Sequence, residues 1–150
     1  MSKIPIVDWI SILKQIRRWL QQADEILDLP DLSNPEQVYT WCHTILVLAG
    51  ESAKLTPIEV DDQIIAWLLA EPFASFEDFK IYYRVFRTIL ELITGDQQSR
   101  FVASQAAEIA SAEVLAGLAK NPAGLDPITV LTLIVQILRF ILDLKGKTNG

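Results

Sequence analysis

Apolar residues recur at the three-and-four spacing of an α-helix in six stretches of this chain. No stretch shows the strict alternation that a half-buried strand would need. The first stretch covers residues 5–28, where Ile6, Ile10, Leu13, Ile16, Leu20, Ala23 and Leu27 form one stripe opposite Asp8, Ser11, Lys14, Arg18, Gln22 and Glu25. Pro30 and the polar residues around it end this helix, because the residue before a proline is steered away from helical angles. Asn34-Pro35-Glu36 starts the second, which should run to about Ala49 and stop at Gly50, with Val38, Trp41, Cys42, Ile45, Leu48 and Ala49 turned inward.

Thr56-Pro57-Ile58-Glu59 combines a capping hydroxyl, a proline at the first helical position and a glutamate three residues after the cap. It predicts a third helix whose Val60, Ile64, Trp67 and Leu68 face inward until Pro72 stops it. Ser75 with Asp78 opens a fourth helix, in which Phe76, Phe79, Tyr83, Phe86, Leu90 and Ile93 make an aromatic seam ending before Gly95. Residues 97–119 read as one fifth helix with a stripe of small side chains: Ala103, Ala106, Ala107, Ala110, Val114 and Gly117. Small side chains let two helix backbones approach closely, so a neighbouring helix is expected against this face. Asn121-Pro122-Ala123-Gly124 is a turn.

The sixth stretch differs from the others. Asp126 can cap it and Pro127 can open it, and from Ile128 to Leu144 nearly every residue is apolar. Thr129, Thr132, Gln136, Arg139 and Asp143 form a single narrow polar stripe. Ile128, Leu131, Ile134, Val135, Leu138, Ile141 and Leu142 are the expected core or interaction surface, and Thr132, Gln136 and Arg139 the polar edge. Lys145 and Gly146 are expected to end the helix, with residues 146–150 as a frayed tail. The expectation is an all-α fold: a compact single-domain bundle of about six helices, with this apolar helix at its centre or in an oligomer interface.

Composition sharpens that picture. Apolar residues make up 51% of the chain and mean hydropathy is +0.28, high enough to suggest that a partner or a membrane hides some apolar surface. Net charge is −6, all of it carried by residues 1–75, which hold five Lys or Arg against eleven Asp or Glu. Residues 76–150 balance eight against eight, so neither half offers the basic face that phosphate recognition requires. Nucleic acid is therefore not an expected partner.

Candidate chemistry is sparse. Cys42 is the only cysteine and His43 the only histidine. On a helix the two point about 100° apart and cannot share a metal or form a thiolate–imidazole pair. Cys42 reads as a core residue. The oxygen-rich loop Asp28, Asp31, Ser33, Asn34 lacks the aspartate spacing, glycine and terminal glutamate of a calcium loop. Lys80, Arg84 and Arg87 alternate with Glu77 and Glu91 as a solvated face would.

No catalytic residue, metal site or cofactor is expected. The N-terminus does not read as a signal peptide, since Pro5 and Asp8 interrupt its apolar run, which makes a cytoplasmic protein the default expectation. An internal echo between residues 48–60 and 115–130 is accounted for by the general preference of helix starts for Thr or Asp before Pro. These readings favour a non-catalytic interaction or assembly protein, self-associating through apolar helix faces or binding a protein partner. The alternative is a membrane-associated protein using residues 127–144, 18 residues or about 27 Å of helix against a hydrocarbon core of about 30 Å.

Overall fold

A computed structural model describes residues 29–53 and 59–148. The expected first helix and the Thr56 cap lie outside them. The described residues form seven α-helices and one 3-10 turn, with no strand. They are α1 (Pro35–Ala53), α2 (Glu59–Ala70), the single turn α3 (Phe76–Phe79), the 3-10 turn Lys80–Tyr82, α4 (Tyr83–Leu92), α5 (Ser99–Ile109), α6 (Ala112–Ala119) and α7 (Pro127–Thr148). The all-α reading holds. The five helices expected after residue 30 became seven because two of them are interrupted.

Helix starts follow the side chains that can satisfy free backbone N–H groups. Asn34 Oδ1 accepts from the N–H of Glu36 (3.1 Å) and Gln37 (3.3 Å) at the start of α1. Ser75 Oγ accepts from Asp78 N–H at 3.1 Å and donates to the Asp78 carboxylate at 2.9 Å. Asp126 Oδ1 accepts from Thr129 N–H at 2.7 Å, which opens α7 as expected.

Four boundaries differ from the sequence expectations. Helix α1 continues through Gly50 to Ala53. A Cβ at position 50 would lie 3.2 Å from Ile65 Cγ2, so this glycine accommodates α2 rather than ending α1. The fourth helix is tightened by the 3-10 turn Lys80–Tyr82, where Tyr82 (φ −93°, ψ −4°) sets its hydroxyl over Gly117 of α6.

The expected helix 97–119 is two helices. Ala110 is extended (φ −74°, ψ 139°), and Ser111 starts α6 by accepting from Val114 N–H at 3.2 Å. A hydroxyl cap thus competes successfully with helix continuation. Helix α7 passes through Gly146 to Thr148, so residues 146–148 are helical rather than frayed. A glycine inside a helix costs about 1 kcal/mol, too little to stop a helix of this length.

Helix α7 contacts α5 most extensively and also packs against α1 and α6, while α5 packs on α4 and α1 on α2 and α4. Its approach is set by the turn before it. Asn121, the buried polar residue among the described ones, donates Nδ2–H to the carbonyls of Leu118 (3.0 Å) and Leu125 (2.7 Å). Its Oδ1 accepts from the N–H of Ala123 (3.1 Å) and Leu125 (3.0 Å). Gly124 completes the turn at φ +68°, a conformation other residues adopt only at a cost.

The α7 cap links stability to pH. Backbone and side-chain hydrogen bonds from Thr129, and then the charge of Arg100, hold the Asp126 carboxyl below its ordinary value of 3.8. A depressed folded-state value stabilises the fold fully above 3.8, and the gain is lost as pH falls through the folded value. Asp126→Asn keeps an acceptor for Thr129 but cannot titrate. Urea midpoints followed from about pH 5 to about pH 2 should fall less steeply for Asp126→Asn than for the native chain. Equal slopes would contradict the assignment.

Candidate interaction surface

The inward side of α7 comprises Val130, Leu131, Ile134, Val135, Ile137 and Leu138, all buried. At about 2 kcal/mol each, covering them contributes on the order of 10 kcal/mol as an upper figure. The expected surface residues Leu131, Ile134, Val135 and Leu138 therefore lie in the molecule's own interior, with Ile128 and Leu142 half-buried at its margin. The side chain of Ile141 lies outside the described ones. Val130 and Ile137 belong to the core although the sequence reading did not single them out.

Facing α7, helix α5 contributes Val102, Ala103 and Ala106, all without exposed surface. The small-residue stripe thus receives the neighbour expected of it, and that neighbour is α7. Gly117, at the stripe's far end, instead accommodates Tyr82. Burial first, and then the carboxylates of Glu113, Glu71 and Asp78, push the Tyr82 phenol above its ordinary value.

The polar edge of α7 divides into three behaviours. Thr132 is half-buried and donates its hydroxyl proton to the Ile128 carbonyl at 2.7 Å. Gln136 is exposed. Arg139 reaches across to the segment joining α4 and α5. Its Nε–H donates to the Ile93 carbonyl (3.2 Å), Nη1–H to Ser99 Oγ (3.1 Å) and Nη2–H to the Gly95 carbonyl (3.3 Å). Carbonyls just past a helix end lack intrahelical donors and carry the negative end of the helix dipole, so a guanidinium is well matched to them. Arg139 is a clamp on a helix end, and sequence spacing gives no hint of its partners 40 to 46 residues away.

Nothing else assembles into a reactive centre among the described residues. Cys42 is fully buried, and burial pushes its thiol far above the ordinary value, so it stays protonated. This agrees with its reading as a core residue. The aromatic seam is filled by its own rings: Phe73 lies 5.0 Å from Phe79 and 4.9 Å from Phe86, and Tyr39 lies 5.4 Å from Phe79 between centroids. Tyr39 and Phe73 were not part of the sequence-predicted seam, because one belongs to α1 and the other to the turn after Pro72. Two hydroxyls anchor the cluster, Tyr39 donating to the Phe73 carbonyl at 3.4 Å and Tyr83 to the Leu32 carbonyl.

The cationic side of α4 is solvated as expected, with Lys80–Glu77 (2.9 Å) and Arg87–Glu91 (3.0 Å) paired at the surface. Asp31 caps its own loop by accepting from Ser33 N–H (3.0 Å) and Ser33 Oγ–H (2.7 Å). Among the described residues no group of His, Cys, Asp or Glu is arranged to hold a metal ion. The indole N–H of Trp41 is buried without an acceptor, which costs roughly 1–3 kcal/mol.

What remains is outward-facing apolar surface. On α5, Phe101 and Ile109 are 48% and 47% exposed, and on α7 Phe140 is 55% exposed. These side chains stand on the two most closely associated helices of the fold. No family model matches the sequence, and no curated protein or solved structure shows significant similarity to it.

Because its acceptors are two carbonyls and a hydroxyl rather than a carboxylate, Arg139→Ala should lower unfolding free energy by about 2 kcal/mol. Arg139→Lys should recover less than half of that, since a single ammonium cannot span three acceptors. Gln136→Leu should change stability by less than about 1 kcal/mol. Urea denaturation checks all three, and an Arg139→Ala effect no larger than that of Gln136→Leu would remove the clamp.

Proposed function

We propose that the chain is a non-catalytic, all-helical interaction protein that associates with further copies of itself through apolar helix surface. One observation carries this reading. The apolar side of α7 is covered inside the molecule, yet Phe101, Ile109 and Phe140 still face outward on α5 and α7. Burying a phenylalanine against a partner gains roughly 1.5–3 kcal/mol, and three large outward side chains on adjoining helices exceed what scattered surface residues require. The interaction surface is therefore the outer side of α5 and α7, not the set of α7 residues that the sequence pattern singled out.

The membrane reading draws on the same helix and fares less well. Among the described residues no helix is long and apolar enough to cross a membrane. A peripheral attachment through Phe140 competes with self-association for the same surface.

Sedimentation velocity in detergent-free buffer separates the two, combined with liposome flotation. The weight-average mass should rise above 16.9 kDa with concentration, and Phe140→Ser should shift that rise to higher concentration. A constant monomer mass with no apolar dye binding would overturn the reading. Flotation with neutral or anionic vesicles would replace it with lipid attachment.

A further inference from the structure

The outer side of α5 has a pattern that specifies how two copies would meet. Arg100 immediately precedes the outward Phe101, and Glu108 immediately precedes the outward Ile109. All four are exposed. Each pair of like-placed residues is eight positions apart, about 12 Å along the helix. Phe101, Gln105 and Glu108 stand nearly in line along the helix, and Arg100 and Ile109 flank that line on opposite sides.

Reversed end for end, this order is complementary to itself. A two-fold axis near Ser104 and Gln105 brings Arg100 of one copy to the second copy's Glu108, and Phe101 to the second copy's Ile109. The symmetry produces each contact twice. A parallel arrangement would set Arg100 on Arg100 and Glu108 on Glu108, which like-charge repulsion disfavours.

We propose that α5 forms an isologous, antiparallel contact with α5 of a second copy. This inference rests on the self-association reading and adds its site and geometry. Helix α5 has 11 residues, about 16 Å of helix. That is too short by itself to reach the roughly 800 Å² per partner typical of stable complexes. The contact is accordingly weak and concentration-dependent, with the charges setting orientation more than affinity.

Sedimentation equilibrium of four full-length proteins tests it: the native chain, Glu108→Arg, the double variant Arg100→Glu with Glu108→Arg, and Phe101→Ser. Far-UV circular dichroism and urea midpoints confirm folding, which these exposed positions should leave intact. Glu108→Arg sets cation against cation on both sides of the axis and should weaken association about tenfold, while the double variant should return it to near the native value. Phe101→Ser should weaken association without rescue by either charge change. If the native chain associates and all three variants match it, self-association stands and the α5 pairing is overturned. A native chain that remains monomeric up to the highest attainable concentration refutes both.

Discussion

Helix α7 presents more apolar surface than any one neighbour of ordinary shape could cover, and its closest neighbour, α5, is built from small side chains on the facing side. Ala103 and Ala106 have no exposed surface, and Val102 beside them has none either. Alanine at the contact lets helix axes approach, so that Leu131, Ile134, Val135 and Leu138 can be enclosed rather than left facing water. The remaining arrangements serve this approach. Asn121 and Gly124 aim the incoming chain, Asp126 caps its first turn, and Arg139 ties α7 to the end of α4 and the start of α5.

The features that were legible in the sequence are those determined within a few residues. Apolar periodicity located each helix after residue 30. Asn34, Ser75 and Asp126 were identified as helix starts because capping is local chemistry. The breaks were less visible. Ser111 carries a usable capping signal, with Glu113 in the first turn, but the run of alanines on either side reads as continuous helix, since alanine is the best helix former. Gly50 and Gly146 looked like terminators and are not. Whether glycine ends a helix or lies under a neighbour depends on tertiary contacts such as that of Ile65, which no local pattern encodes.

The interaction surface was legible in kind but not in place. The apolar residues of α7 drew attention because they are the densest, yet dense apolar character in a chain of this size is first used to form its own core. The residues left outside, Phe101, Ile109 and Phe140, lie next to buried positions and share their hydrophobicity. Only knowing which side each helix turns to its neighbours distinguishes them. The same applies to Arg139, whose role depends on carbonyls contributed by a distant segment.

The account stands on the close seating of α7 against α5, and overfilling that contact tests it most directly. Ala103→Leu preserves helix propensity while adding three carbon atoms where no space remains, and Ala116→Leu makes the same change at an exposed position of α6. In urea denaturation Ala103→Leu is expected to lose about 1–3 kcal/mol, whereas Ala116→Leu should stay within about 0.5 kcal/mol of the native chain. If the two variants were equally stable, α5 and α7 would not be in the close contact on which this fold depends.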